Sequence, residues 1–194
     1  MNGFIWGHGM SKATSHRRRR KLSSSELSEV ALIALGSNLS NPLAQLQQAR
    51  HELAAISDIV ALSSIYQSRL ANQADMLSAV IAMRIIEGLS TPEMLVESFQ
   101  QIELWQGREI RAPRDARPLD LDLLTFADDI TSSDIVTIPH PRMMERPFIL
   151  APLCEIAPEW QHPFLDMRPC QTLRNLETSH LVRTNFRWDV TAPL

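Results

Sequence analysis

The sequence has no lysine after Lys21, only two cysteines and no apolar run long enough to span a membrane. A phosphate-binding P-loop needs a lysine, so this type of site is excluded, and anions must be held by arginine, backbone N–H groups or metal. Cys154 and Cys170 have neither CxxC spacing nor a nearby pair of histidines, which argues against zinc and predicts a reduced, cytoplasmic setting. A transmembrane helix needs about 18 apolar residues, so no membrane partner is expected.

Charge is distributed unevenly along the chain. Residues 1–30 hold six basic and two acidic residues, whereas residues 31–194 hold 13 basic and 20 acidic residues. The acidic part is a poor candidate for binding nucleic acid, because such binding depends on neutralising phosphates with Lys and Arg. The basic run at 17–21 is not followed by the apolar segment that a secretion signal requires. We therefore predict a disordered basic tail over residues 1–29.

The apolar pattern predicts the order of secondary structure. Strands are expected at 30–35, 59–67, 76–86 and 119–126, with helices from Ser40 or Asn41 to about 56 and from Ser90 to about 107. The order strand, helix, strand, strand, helix, strand is that of a ferredoxin-like α+β fold, an antiparallel sheet with helices on one face. A chain of 194 residues suits one domain, which we place at 30–160 with an irregular C-terminal extension at 161–194 packed on it.

Two aspartates alternate with leucines in the last predicted strand, at 119–124. Side chains alternate between the faces of a strand, so Asp120 and Asp122 share one face while the leucines enter the core. Mg2+ usually takes one or two protein carboxylates together with water and substrate phosphates. The pattern favours a metal-dependent phosphoryl-transfer site, although alternating Leu and Asp also describes any half-solvated strand.

Basic residues surround these carboxylates in the sequence. Four arginines, at positions 108, 111, 114 and 117, precede them, and His140 follows in a loop bounded by prolines. Arginine binds phosphate through two parallel hydrogen bonds, so a polyphosphate between the arginines and a metal would explain the arrangement. A solvated surface loop is the alternative interpretation.

These motifs, with the segments 34–39, 102–108, 117–122, 139–148 and 152–158, resemble the 6-hydroxymethyl-7,8-dihydropterin pyrophosphokinase family. The resemblance covers roughly residues 30–160. It implies a ferredoxin-like fold and the transfer of diphosphate from ATP to the pterin hydroxymethyl group, with release of AMP. It also implies two Mg2+ ions, and we expect a monomer.

The resemblance assigns a role to each matching position. Asp120 and Asp122 would hold Mg2+ and, with Arg108 and Arg117, form the catalytic set. The nucleotide would contact Gln100, Arg108, Arg117, Leu123, Thr137, His140 and Arg146. The pterin would contact Gly36, Met76, Ser78 and Phe148, with Phe148 stacking on its ring.

The pterin positions depart from the family pattern. Met76 replaces an aromatic residue and Ser78 replaces an asparagine, whose amide can both donate and accept. The loop at 68–74 is shorter, and residues 114–117 lack the family's tryptophan. Three interpretations remain open: a working pyrophosphokinase, a nucleotide-dependent transferase for another acceptor, or a paralogue that binds nucleotide without catalysis.

Overall fold

A computed structural model describes residues 20–39, 41–69, 75–108 and 117–189 and contains one main antiparallel sheet. The strands are β1 (Val30–Ser37), β2 (Ile59–Leu62), β3 (Tyr66–Ser68), β4 (Met76–Arg84), β5 (Asp120–Phe126), β6 (Thr131–Ser132), β7 (Thr137–Ile138) and β8 (Leu181–Arg183). The sheet runs in the order β5-β1-β4-β3-β8, and β2 also pairs with β4. β6 and β7 form a second, two-stranded sheet.

The described helices are α1 (Ser24–Leu27), α2 (Pro42–Ile56), α3 (Pro92–Trp105), α4 (Pro147–Ile156) and α5 (Pro169–Leu173), with 3-10 turns at Glu87–Leu89 and Met143–Glu145. α2 and α3 begin with a side-chain cap followed by proline: Asn41 accepts from the Ala44 N–H, and Thr91 accepts from the Met94 N–H. Such caps satisfy N–H groups that have no partner inside the helix. Ser40, the other predicted cap of α2, lies outside the described residues.

Both faces of the sheet are buried. On one face, Ile33 and Ile81 pack against α2 and α3, which contribute Leu46 and Phe99. This face and the element order confirm the predicted ferredoxin-like α+β fold. On the opposite face, α1 and α4 cover a second cluster that includes Leu32, Val80 and Leu150. The prediction of helices on one face is therefore right for α2 and α3 only, because α1, before the first strand, and α4, after β7, pack on the other face.

Two predicted segments differ in detail. The strand expected over 59–67 is divided at Ser63–Ile65, where the Ser63 hydroxyl accepts a hydrogen bond from the Val80 N–H at 2.9 Å. Residues 20–29, expected in a disordered tail, contain α1, and Leu22 and Leu27 are buried in the second cluster. The prediction rested on the basic composition of this segment and overlooked its two buried leucines. Residues 1–19 lie outside the described part of the chain.

The C-terminal extension is tied to the edge of the sheet. β8 pairs with β3, and further along the Trp188 indole N–H donates to the Ser63 carbonyl at 2.8 Å. Cys154 on α4 is disulfide-bonded to Cys170 on α5, with the two Cα atoms 5.3 Å apart. The sequence analysis predicted a reduced setting and did not predict this disulfide. None of the helices in the described ranges has the length and apolar character needed to cross a membrane.

His162 makes the stability of the fold depend on pH. His162 is 9% exposed, its ring lies edge-on to Trp160, and burial lowers the pKa of this imidazole. The unfolded chain, with a histidine pKa near 6.5, binds the proton more readily than the folded chain. The contribution to stability is full above about pH 6.5 and is lost as the pH falls toward the lowered pKa of the folded state.

We expect His162→Gln to reduce the fall in melting temperature between pH 7 and pH 5. Phe164→Leu alters a neighbouring ring without removing a titrating group, so it should retain the parent's pH dependence. Equal pH dependence of the His162→Gln variant and the parent would contradict the assignment.

Candidate active site

A cavity of about 680 Å³ opens on the sheet face that carries α4. Its floor comes from residues of three neighbouring strands: Gly36 on β1, Met76 and Ser78 on β4, and Asp120 and Asp122 on β5. The loop before α4 and the first turn of α4 form the wall above this floor. The cavity is therefore on the face opposite α2 and α3.

The two aspartates and two arginines form the charged end of the cavity. Asp120 is ion-paired with Arg117, and Asp122 accepts from Arg146 with 3.2 Å between Oδ2 and Nη1. All four side chains are between 21% and 34% exposed, so water and ligands can reach them. The carboxylates and guanidinium groups together present charges of both signs to any ligand in this end.

His140 lies beside the same carboxylate, with 3.9 Å between its Nε2 and Asp122 Oδ2. Burial lowers the pKa of His140, while the Asp122 carboxylate acts in the opposite direction and the nearby arginines add to the lowering. The imidazole is therefore neutral at neutral pH. Its Nδ1 accepts from the Arg142 N–H at 3.2 Å, which leaves Nε2 as the donor facing Asp122.

The middle of the cavity is lined by small side chains. In the sheet, Gly36 lies opposite Asp120 on one side and Ser78 on the other, and Ala34 lies opposite Asp122. Ser78 is 3% exposed, and its hydroxyl donates to the Phe148 carbonyl at 3.1 Å. This bond connects β4 to the start of α4. Phe148 also lies near Arg146, whose guanidinium carbon is 5.8 Å from the ring centroid.

The oxygen donors at this site suit Mg2+ in number and type. Within the described ranges, no group of three or more His, Cys, Asp and Glu side chains is arranged to hold a metal. Asp120 and Asp122 lie on one face of β5 and offer two carboxylates to the cavity. This matches a cation that takes one or two carboxylates and completes its coordination with water and phosphate oxygens.

Comparison with known proteins shows the family. A sequence model of 7,8-dihydro-6-hydroxymethylpterin-pyrophosphokinase matches residues 32–158. The chain belongs to this family. It is 39% identical over 137 residues to the 2-amino-4-hydroxy-6-hydroxymethyldihydropteridine pyrophosphokinase of Synechocystis sp., an alignment covering 69% of each protein. It is also 39% identical over 129 residues to the protein of the same name from Haemophilus influenzae, covering 66% of this chain and 81% of the relative.

Solved structures of the same family share the fold. The HPPK-DHPS protein of Plasmodium falciparum superimposes with a TM-score of 0.60 at 14% sequence identity, covering 76% of this chain and 44% of that one. This likeness supports the ferredoxin-like architecture. The family membership confirms the predicted resemblance and the predicted class of enzyme, a diphosphotransferase of the pterin pyrophosphokinase type.

Nine of the thirteen predicted site residues line the cavity of this family member: Gly36, Met76, Ser78, Arg117, Asp120, Asp122, His140, Arg146 and Phe148. The other four lie elsewhere. Gln100 is exposed on α3, Thr137 is half-buried on β7, and the Leu123 side chain is buried beneath α2 and α3. Arg108 is ion-paired with Glu103, a buried residue of α3. Arg111 and Arg114 lie outside the described residues.

The cavity also contains residues that the sequence analysis did not single out. Asn38 accepts from the Arg117 N–H at 2.8 Å and so fixes the backbone at Arg117. Glu145, Ser68 and His180 line the cavity as well. Asn38 is within the segment 34–39 that contributes to the family resemblance. No sequence signal indicated His180, because it lies in the C-terminal extension, whose path was not predicted.

We expect Gly36→Ala to weaken acceptor binding without disturbing the fold. A Cβ at position 36 would lie 4.0 Å from both Asp120 Cβ and Met76 Sδ, which is ordinary van der Waals contact. The added methyl would occupy the floor between the charged end and Met76. The KM for the acceptor should rise about tenfold, with an unchanged melting temperature. Gly88→Ala, where a Cβ meets nothing within 4 Å, is the matched control, and equal KM values for the two variants would contradict the prediction.

Proposed function

We propose that this chain transfers the terminal diphosphate of ATP to the hydroxymethyl group of 6-hydroxymethyl-7,8-dihydropterin. The hydroxyl oxygen forms a bond to the β-phosphorus, the bond from that phosphorus to the oxygen bridging to the α-phosphorus breaks, AMP leaves, and the hydroxyl proton is released. The observation that carries the proposal is a single cavity with paired carboxylates and arginines at one end and Met76, Ser78 and Phe148 along its length.

The basic side chains would bind the transferred group. Arg117 and Arg146 offer planar donors suited to phosphate oxygens, and His140 offers the Nε2 proton. Phosphoryl transfer depends mainly on positioning and on stabilising charge, so donors already fixed by Asp120, Asp122 and Arg142 need little rearrangement. We assign no protein base.

Asp120 and Asp122 would hold the Mg2+ that ATP brings to the site. Bound there, Mg2+ would neutralise charge on the phosphate oxygens. We propose two such ions, as the family resemblance implies. The carboxylates lie on the side of the cavity that faces the arginines, so protein and metal would approach the polyphosphate together.

The nucleoside part of ATP would cross the edge of the sheet. β5 is the edge strand, α3 packs on it, and β7 lies beside it. The four predicted residues outside the cavity are on these elements or, for Arg108, three residues after the end of α3: Gln100, Arg108, Leu123 and Thr137. We retain them as proposed nucleotide contacts, with Leu123 acting through its backbone because its side chain is in the core.

The pterin ring would occupy the rest of the cavity. Gly36 leaves space over β1, Met76 and Ser78 form the floor on β4, and Phe148 at the start of α4 supplies an aromatic face for stacking. We further propose residues 30–160 as the catalytic domain of a cytoplasmic monomer. The disulfide between Cys154 and Cys170 would then be reduced to two thiols in that compartment.

Production of AMP by the purified chain from ATP and Mg2+, with and without 6-hydroxymethyl-7,8-dihydropterin, tests the proposal. AMP that depends on both pterin and Mg2+ is the expected result. ATP binding without pterin-dependent AMP would reject it.

A different acceptor is the second candidate function, and the state of Ser78 favours considering it. The hydroxyl proton of Ser78 is already donated to the Phe148 carbonyl. This position therefore offers a heterocycle fewer hydrogen-bonding groups than the amide of an asparagine would. AMP release that is stimulated by another hydroxymethyl heterocycle and not by the pterin would select this alternative.

A further inference from the structure

The cavity has a second end, far from the aspartates. Across the sheet, Asp120 and Asp122 are on β5, and Ser68 is on β3, three strands away. Neighbouring strands are about 4.8 Å apart, so these ends are separated by roughly 14 Å. His180 lines the cavity next to Ser68 and directly precedes β8. A diphosphate held near the aspartates would leave the acceptor's ring to reach toward this second end.

The second end has unused capacity for hydrogen bonds. Ser68 is 2% exposed, and its hydroxyl has no hydrogen-bond partner within the described part of the chain. A buried hydroxyl without a partner costs free energy, which a polar ligand would recover. Met76 beside it offers no donor, and the proton of Ser78 is used by Phe148. The two ring nitrogens of His180 can supply both a donor and an acceptor there.

His180 is held in place by backbone pairing. Its carbonyl accepts from the Arg69 N–H at 2.9 Å, and the next residue, Leu181, pairs with Ser68. Three residues after Leu181, the Thr184 N–H donates to the Ile65 carbonyl at 3.0 Å. The segment that delivers His180 is thus fixed to β3 and to the residues before it.

Glu155 on α4 joins this segment to the wall of the cavity. Its carboxylate accepts from Arg183 on β8 at 3.2 Å, from the Ser64 N–H at 2.7 Å and from the Tyr66 hydroxyl at 2.9 Å. The helix that begins next to Phe148 and the strand that follows His180 are therefore linked through one side chain. Such a charged hub restricts the relative movement of the two elements.

We propose that His180 is a specificity-determining residue that contacts the ring of the acceptor and supplies polar recognition that Met76 and Ser78 do not. His180 lies beyond residue 158, where the family match ends, so this contact would be a feature of the extension in this chain. The proposal rests on the proposed function for the identity of the acceptor.

Binding measurements on His180→Ala test the proposal. We would titrate 6-hydroxymethylpterin into the full chain with Mg2+ and a non-hydrolysable ATP analogue present, and titrate the analogue separately. Loss of one neutral hydrogen bond should raise the pterin Kd about three- to tenfold, with the analogue's Kd unchanged. His180→Gln, which keeps a donor and an acceptor, should recover part of the affinity. Val182→Ala, an exposed change on β8, is the matched control and should leave both Kd values unchanged.

The outcomes separate this proposal from the proposed function. If His180→Ala binds the pterin as tightly as the parent does, or weakens both ligands equally, His180 is not a specificity residue. If the parent binds the ATP analogue and no pterin, the proposed function fails and the assignment of His180 to pterin recognition fails with it. Selective loss of pterin affinity with partial recovery in His180→Gln supports both.

Discussion

Replacing Asp122 by asparagine is expected to lower pterin-dependent AMP production by at least about a hundredfold while leaving the fold intact. Asparagine keeps the shape of the side chain but removes the charge that would hold Mg2+ and that now pairs with Arg146. The Asp122 and Arg146 side chains are 30% and 21% exposed, so loss of their ion pair should change the free energy of unfolding by no more than about 1 kcal/mol. The turnover rate and its dependence on Mg2+ concentration are the measurements.

Asp128→Asn is the matched control for this variant. Asp128 is exposed in the turn after β5, outside the cavity. It should retain the parent's turnover. An Asp122→Asn variant within threefold of the Asp128→Asn rate would remove Asp122 from the catalytic set.

Replacing Glu103 by alanine should cost about 2–4 kcal/mol of folding free energy. Glu103 on α3 is 2% exposed, its Oε1 accepts from the Leu121 N–H at 2.8 Å, and its Oε2 pairs with Arg108. Truncation leaves a buried N–H of β5 without a partner and a guanidinium without its carboxylate. Urea unfolding measures the effect, and for a chain of this size each kcal/mol corresponds to about 2–4 °C in melting temperature.

Two further variants, Glu97→Ala and Glu103→Gln, are the controls for Glu103→Ala. Glu97→Ala removes an exposed carboxylate from the same helix and should change stability by less than about 0.5 kcal/mol. Glu103→Gln keeps an oxygen for the Leu121 N–H and should lose less than Glu103→Ala. Equal unfolding midpoints for Glu103→Ala and Glu97→Ala would show that the buried pair contributes nothing to stability.

The sequence predicted the charged end of the cavity because its signals are local. Alternation in β5 alone places Asp120 and Asp122 on one face, and the structure has them there. Helical spacing in α3 likewise puts Leu95 and Phe99 in the core. The predicted start of α3 at Ser90 is wrong by one position, because Thr91 caps the helix. The Glu93 carboxylate in its first turn accepts from the Ser133 hydroxyl, 40 residues away.

The features that sequence reasoning missed depend on distant contacts. The sequence analysis gave Glu103 no role of its own, because its burial depends on the packing of β5 against α3, where it accepts from the Leu121 N–H. Arg108, predicted to contact phosphate, is ion-paired with the other oxygen of the same carboxylate. His180 reaches the cavity through pairing with a strand more than 100 residues earlier in the chain. No periodicity in the sequence carries that information.

The placement of the cavity on one face of the sheet has a consequence for how this enzyme can change. Along β4, residues that face the cavity alternate with residues buried under α2 and α3, as Met76 and Ser78 alternate with Leu77 and Ala79. Mutations at the first set can redirect the choice of acceptor while the second set preserves folding. A variant library restricted to Met76, Ser78 and their neighbours in the cavity would therefore test other acceptors while the fold is preserved.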